Sequence, residues 1–252
     1  MVIGEEALFT SHQSPITSHS PKGEVSAAKI SMKITPTDKA VLIACGTTFL
    51  TFLMNVKLGS IWILYLNVFI TACVFGYAIR QWDEFSHLWR SVIFGVSASI
   101  TYTPIDWLLS RQVRLLFYLR PDIPWMFAVP LSLLLMWMVA ITVSIYLYQR
   151  LNSIWSRSYI SAGMTGIAVF VGSTVLDQFG SARLWNWNAM LLKDSTYIGS
   201  VPIFIPIALF LTFLLSPYYF YRHHIIVAGI RCGIFMGTMQ FLCFVLFRFM
   251  RI

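Results

Sequence analysis

Residues 125–148 read WMFAVPLSLLLMWMVAITVSIYLY and contain no charged side chain. A helix of about 20 mostly apolar residues crosses the hydrocarbon core of a bilayer, so this stretch predicts a transmembrane helix. The same criterion, applied outward from it, gives further spans near 38–56, 60–80, 89–109, 158–178, 199–221 and 225–247. The sequence therefore predicts an all-α membrane protein, a bundle of about seven transmembrane helices.

The composition indicates that lipid is the solvent for most of the chain. Of the 252 residues, 58% are hydrophobic and 11% are charged, and the mean hydropathy is +0.72. Ordinary soluble domains carry about 25% charged residues, because water must solvate their surfaces. We therefore expect one transmembrane domain over residues 35–252, preceded by a disordered polar tail over 1–34.

The first span carries a helix-start signal. Thr35 suits the N-cap, and Pro36 suits the first helical position, where a missing N–H costs nothing. Asp38 then lies at the positive end of the helix dipole. Lys29 and Lys33 precede this span, and the positive-inside rule favours a cytoplasmic N-terminus.

The net charge of +8 does not indicate a nucleic-acid partner. Lys and Arg fall mostly at span ends, where they face anionic headgroups, and they form no dense basic run for a phosphate backbone. The four cysteines lie inside spans without ligand spacing, so we expect no disulfide framework, metal or cofactor. The expected partners are membrane lipid, a lipophilic small molecule and neighbouring membrane proteins.

Spans three and five, with the loops that follow them, resemble each other at an offset of 71 to 72 residues. The matching positions are Gly95, Thr103 and Asp106 with Gly166, Thr174 and Asp177, and Val129-Pro130 with Val201-Pro202. This pattern predicts a parallel internal repeat of spans 3–4 and 5–6. Because the two spans run in the same direction, both aspartates are expected at one face of the membrane.

Asp106 and Asp177 are the candidate catalytic residues. An acidic side chain at membrane depth is costly, usually faces the bundle interior and marks a functional path. Both also lie within a turn of the interface, where Asp106 could pair with Arg111 or an Arg across the bundle, and Asp177 with Arg183. Function and structural pairing therefore both stay open on sequence grounds.

The loop after span five alternates large aromatic rings with amides in WNWN, residues 185–188. It is either a lid whose tryptophans hold an apolar ligand and whose asparagines orient polar groups, or an interfacial helix at headgroup depth. The candidate substrate-binding residues are Trp107, Trp125, Trp185, Asn186, Trp187, Asn188 and Tyr197.

Arg231 lies inside span seven and needs a partner at that depth. An ion pair with a buried carboxylate such as Asp106 or Asp177 would serve, and so would snorkelling of its long stem toward the interface. Around it, residues 229–237 place a glycine at every fourth position, which predicts close helix packing.

Several classes of membrane protein need residues that this sequence lacks. A retinal protein needs a Lys in its last span, desaturases need many histidines, and metal-dependent prenyl transfer needs clustered aspartates. Protonation of an alkene or epoxide by a carboxylic acid needs neither metal nor cofactor, and aromatic rings stabilise the resulting carbocation. Burial disfavours the charged form of a carboxylic acid, so a buried Asp suits this chemistry.

The segment TPIDW at residues 103–107 is similar to the Pro-x-Glu acidic motif of lycopene cyclase domains, with Asp106 in place of Glu. Where that motif continues with a second acid, this sequence has Trp107. Together with WNWN at 185–188 and YIGSVPI at 197–203, this segment makes the chain resemble the small integral-membrane carotenoid and terpenoid cyclases. The resemblance implies an enzyme of isoprenoid metabolism that starts cyclisation by protonation. The alternative is a non-catalytic protein, either a carrier or transporter of a small lipophilic molecule or an accessory subunit of a membrane complex.

Overall fold

The computed structural model describes residues 34–81, 85–119, 122, 129–181, 183–193, 195–220 and 224–250. The helices are α1 (Pro36–Leu58), α2 (Trp62–Gln81), α3 (Phe85–Trp107), α4 (Leu131–Trp155), α5 (Ser158–Gly180), α6 (Phe204–Leu214), α7 (Ser216–Phe220) and α8 (Ile225–Met250). In the described part, six helices are long and apolar enough to cross a membrane: α1 to α5 and α8. The prediction of an all-α multi-pass membrane protein is confirmed. The expected disorder of the tail concerns residues 1–33, which lie outside the described residues.

The start of α1 forms as its sequence predicts. The Thr35 side chain accepts a hydrogen bond from the Asp38 N–H at 3.1 Å, and the Thr35 N–H donates to Asp38 Oδ2 at 2.9 Å. This reciprocal capping satisfies two backbone N–H groups that the first helical turn leaves free. Asp38 also forms an ion pair with Arg150 of α4 at 3.0 Å and accepts from the Tyr146 hydroxyl at 2.9 Å. These contacts attach the beginning of α1 to the C-terminal half of α4.

The sixth predicted span, 199–221, differs from the structure. Strands β3 (Tyr197–Ile198) and β4 (Val201–Pro202) pair as a short hairpin, so the helix begins only at Phe204. It is interrupted between α6 and α7, because Pro217 has no N–H to continue the helical ladder. The hydroxyl of Ser216 instead donates to the Phe213 carbonyl at 2.6 Å. The apolar segment Phe204–Phe220 is consequently shorter than the six long spans.

The glycines of α8 form a seam against α3, which confirms the predicted close packing. A Cβ added at Gly229, Gly233 or Gly237 would lie 2.1–2.4 Å from atoms of Ser97, Ala98 or Ile105, respectively. At these positions only glycine lets the two backbones approach so closely. α3 also packs extensively against α4, and α5 against α6.

A two-stranded antiparallel ribbon joins the loops that follow α3 and α5. After α3 the chain makes a π-helical turn, Leu108–Gln112, and then strand β1 (Leu116–Tyr118). β1 pairs with β2 (Trp185–Trp187), so that Tyr118 lies opposite Trp185 and Leu116 opposite Trp187. The ribbon brings together the ends of the two helices that carry the candidate acids. The internal repeat and the cytoplasmic N-terminus stay predictions.

Candidate functional site

A cavity of about 540 Å³ lies inside the bundle, and both Asp106 and Asp177 line it. Its walls come from α1, α3, α4, α5, α6 and α8, and from both strands of the ribbon. Most of the lining is aliphatic or aromatic; the rings are those of Phe49, Phe52, Tyr102, Tyr118, Trp137, Trp185, Trp187 and Phe213. Two acids in an otherwise apolar cavity are the arrangement expected of a ligand site rather than a filled core.

Asp106 is held by two tyrosine hydroxyls. Tyr118 donates to its Oδ2 at 2.5 Å, and Tyr102, one helical turn before it on α3, donates to its Oδ1 at 3.2 Å. The Tyr102 hydroxyl also lies 2.7 Å from Gln240 Oε1 on α8, so this amide oxygen and the Asp106 carboxyl group compete for its one proton. Asp106 is 3% exposed, so these contacts compensate much of the cost of its burial. They also fix the position of its carboxyl group.

Tyr118 keeps its proton and acts as a donor. Burial, and next the charge of Asp106, raise the pKa of the Tyr118 hydroxyl well above its ordinary value. A phenol with a raised pKa is neutral across the physiological range, so Tyr118 is available to donate to Asp106.

Asp177 has a different environment. The indole N–H of Trp185 donates to Asp177 Oδ1 at 2.5 Å, whereas Oδ2 is buried and has no hydrogen-bond partner among the described residues. The indole Nε1 of Trp187 lies near this carboxyl group but outside hydrogen-bonding geometry, and it too has no partner in the described part of the chain. The two acids therefore differ: both oxygens of Asp106 are occupied, and one oxygen of Asp177 is open.

The ribbon fixes both acids at once. Tyr118, the donor to Asp106, and Trp185, the donor to Asp177, are directly paired residues of β1 and β2. Because side chains alternate along a strand, Trp185 and Trp187 line the cavity while Asn186, between them, is exposed. Gly180 permits this arrangement, since a Cβ there would lie 2.5 Å from the Trp185 ring.

The ion pairs considered for these acids are not formed. The carboxyl group of Asp106 contacts tyrosines and that of Asp177 contacts tryptophan, and within the described residues the ion pair present is Arg150–Asp38. The guanidinium of Arg231 lies over the Tyr218 ring, 5.9 Å from its centroid, and away from both acids. An ion pair of Arg231 with another group stays a prediction.

The predicted substrate-binding residues fall into two groups. Trp185 and Trp187 line the cavity. Four of the other predicted residues are described and do not line the cavity: Trp107, Asn186, Asn188 and Tyr197. The remaining one, Trp125, lies outside the described residues. The side chain of Asn188 instead joins the two loops, donating to the Arg114 carbonyl at 2.8 Å and accepting from the Met190 N–H of its own loop at 3.1 Å.

Three polar residues of the site were not identified from the sequence. Gln240 is an amide at membrane depth, and Tyr102 precedes Asp106 by four residues on the same helix face, so both gave a usable signal. Tyr118 gave none, because its contact with Asp106 depends on the pairing of β1 with a strand far along the chain.

The cavity opens sideways at the depth of the spans. Five of its lining residues are exposed and lie within α1, α4 and α5: Phe49, Ala140, Ala168, Gly172 and Val175. Within the described residues, the lining stops at Leu147 on α4 and begins only at Ala168 on α5. The cavity therefore does not extend to the ends of these helices opposite the acids, and its opening faces lipid.

The fold and the cavity define a polytopic helical membrane protein with two buried acids under a β-ribbon. The chain belongs to the family described as a domain of unknown function (DUF6989), whose model matches residues 103–250, more than half of its length. The match includes Asp106, Asp177 and the whole ribbon, whereas α1 and α2 lie outside it. No curated protein and no solved structure matches the chain.

Proposed function

We propose that this protein is an integral membrane enzyme of isoprenoid metabolism, acting on a carotenoid or terpenoid precursor. It starts cyclisation, or related carbocation chemistry, by protonating the substrate. The observation that supports this proposal is the presence of Asp106 and Asp177 in one apolar, aromatic-lined cavity that opens toward lipid. Apolar walls accept an isoprenoid chain, an acid supplies the proton, and ring faces stabilise positive charge.

Asp177 is the better proton donor of the two acids. Its Oδ2 has no partner among the described residues, so a proton on this atom can pass to a molecule in the cavity. A buried carboxylate without a nearby cation is costly, and Asp177 lies in the last turn of α5, at the negative end of the helix dipole. Both effects disfavour the carboxylate and act against the Trp185 N–H, which favours it; the neutral acid is the form that can donate.

The reaction balances without an oxidant, reductant or second substrate. The O–H bond of Asp177 breaks as a C–H bond forms at a double bond of the substrate, which leaves a carbocation and a carboxylate. A second double bond of the substrate attacks the cation, and the new C–C bond closes a ring. Loss of a proton from a neighbouring carbon to an aspartate makes a new double bond, so the product is an isomer of the substrate. Asp106 is the second acid of the cavity that can take part in this return of the proton.

The alternative is a carrier of a lipophilic molecule or an accessory subunit. The sideways opening suits a carrier as well as an enzyme, because either would exchange its ligand with the bilayer. The extent of the cavity favours the enzyme, since a transport path would have to reach the opposite ends of α4 and α5. Two acids on the lining of one apolar cavity also have a direct use in acid catalysis.

Isotope incorporation tests this function. The protein in lipid nanodiscs is incubated in D₂O with farnesol, geranylgeraniol or squalene, and extracted lipids are analysed by mass spectrometry. We expect at least one substrate to yield a cyclic isomer that carries one deuterium on carbon, because exchanged Asp177 delivers a deuteron. Recovery of every substrate unchanged and without carbon-bound deuterium would favour the carrier and contradict the proposal.

A further inference from the structure

Two polar atoms beside the cavity are left without hydrogen bonds. They are Asp177 Oδ2 and Trp187 Nε1, each buried and without a partner among the described residues. Asp177 is 6% exposed, and both side chains line the same cavity. Trp187 Nε1 lies near the Asp177 carboxyl group without hydrogen-bonding geometry. The two atoms therefore form one small polar patch in an apolar wall.

Both side chains of this patch are held in place. Trp185 donates to the other oxygen of Asp177 at 2.5 Å. The Trp187 ring packs edge-on against Phe204, with ring centroids 6.5 Å apart and planes at 73°. A buried polar atom without a partner costs about 1–3 kcal/mol, and native proteins keep few of them. Two fixed polar atoms that lack hydrogen bonds at a cavity wall are the arrangement expected where a ligand supplies the missing hydrogen bonds.

The chemistry of the patch selects its ligand. The indole N–H can only donate, so a cationic ligand would satisfy Asp177 and leave Trp187 without an acceptor. An anionic ligand would be repelled by the Asp177 carboxylate, which forms no ion pair within the described residues. A neutral oxygen atom accepts from Trp187 Nε1 and from a protonated Asp177 together, which satisfies both atoms.

We propose that Asp177 and Trp187 bind one neutral oxygen atom, of a hydroxyl, ether or carbonyl group, on an otherwise apolar ligand. The other polar side chains of this end of the cavity, Tyr102, Tyr118 and Asp106, already bond to one another or to Gln240. The rest of the ligand therefore meets hydrocarbon and aromatic walls. The inference rests on the proposed function only in placing a lipophilic ligand in this cavity. It describes the resting complex: while Asp177 donates to the ligand oxygen it does not protonate a double bond, so this hydrogen bond has to break before the reaction starts.

The test compares three probes with one carbon skeleton: farnesol, farnesyl methyl ether and farnesene. Dissociation constants are measured in lipid nanodiscs and expressed as mole fractions in the lipid, which removes differences in membrane partitioning. We expect both oxygen-bearing probes to bind at least about tenfold more tightly than farnesene, as one or two buried hydrogen bonds provide. Trp187→Phe keeps an aromatic side chain, smaller than indole, and removes the N–H, whereas Asp177→Leu keeps the approximate shape and removes the acid. The lost volume in Trp187→Phe affects all three probes alike, so each variant is expected to lose most of the preference for oxygen. Trp155→Phe, the same ring change at the far end of α4, is the matched control and is expected to retain it.

Equal binding of the three probes by the unaltered protein would overturn the inference, and so would a preference that survives in Trp187→Phe. Trp187→Phe decides the question if Asp177→Leu fails to fold. The two proposals fail separately. Oxygen preference without any cyclic product contradicts the enzyme and supports the subsite, whereas cyclic product without oxygen preference contradicts the subsite alone.

Discussion

Asp177→Asn is expected to lower the rate of product formation by about 10²–10⁴-fold, the usual contribution of a general acid. The substitution keeps the size of the side chain and an acceptor for the Trp185 N–H, but an amide does not supply a proton. Asp177→Glu keeps the acid on a longer stem and is expected to recover part of the rate. The measurement is the initial rate of cyclic product formation in membranes fed a linear isoprenoid, normalised to folded protein.

Asp38→Asn is the matched control for this prediction. Asp38 is a half-buried aspartate that pairs with Arg150 near the start of α1 and does not line the cavity. It is expected to keep the catalytic rate per folded molecule. If Asp106→Asn and Asp177→Asn both leave product formation unchanged while folding normally, acid-initiated catalysis in this cavity is contradicted.

Gly233→Leu is expected to destabilise the bundle by about 3 kcal/mol, at the upper end of the usual cost of overpacking a core. A Cβ at this position would lie 2.4 Å from the backbone carbonyl oxygen of Ala98, which cannot rotate away as a side chain can. Accommodation of leucine therefore requires α8 to separate from α3. The free energy of unfolding, measured by denaturant titration in mixed micelles, reports this change.

Gly46→Leu provides the comparison, because a Cβ at Gly46 meets no atom within 4 Å and the residue is exposed on α1. It adds the same side chain to a transmembrane helix without a clash. We expect its unfolding free energy to stay near that of the unaltered protein. Equal stability of the two variants would show that the α3–α8 seam is not as close as described.

Hydropathy and local signals predicted the spans well because they depend on nearby residues. An uncharged apolar run such as 131–148 predicts a transmembrane helix from its own length and composition. The Thr35 cap depends only on the helical turn that follows it. The glycines of α8 predicted close packing through their spacing alone, although not the identity of their partner, α3.

The ribbon could not be predicted in the same way. Its two strands are three residues each, and their pairing joins segments far apart in the chain. The sequence indicated that Trp185 and Trp187 act as a lid or lie at the interface. Only the pairing shows that Tyr118 and Trp185 bind the two acids from adjacent positions.

The site itself was predicted in part. Asp106 and Asp177 were identified because charged groups at membrane depth are costly, and the structure places both at one cavity. The chemistry of the loop asparagines predicts ligand contacts, but strand alternation turns Asn186 outward, and Asn188 bonds to the Arg114 carbonyl and to the Met190 N–H. A helix or a strand through the same four residues would expose different side chains, and the sequence did not decide between them.

The central claim, that this cavity holds a lipophilic molecule beside two acids, is tested most directly by identifying what purifies with the protein. The chain is extracted in mild detergent, and bound lipid or pigment is identified by native mass spectrometry. The comparison is Gly172→Phe, which adds a ring to the cavity lining, with Gly163→Phe on the same helix outside that lining; a Cβ at either position meets no atom within 4 Å. We predict a bound isoprenoid in the unaltered protein and in Gly163→Phe, and its loss in Gly172→Phe. Absence of any isoprenoid, or equal retention by both variants, would contradict the claim.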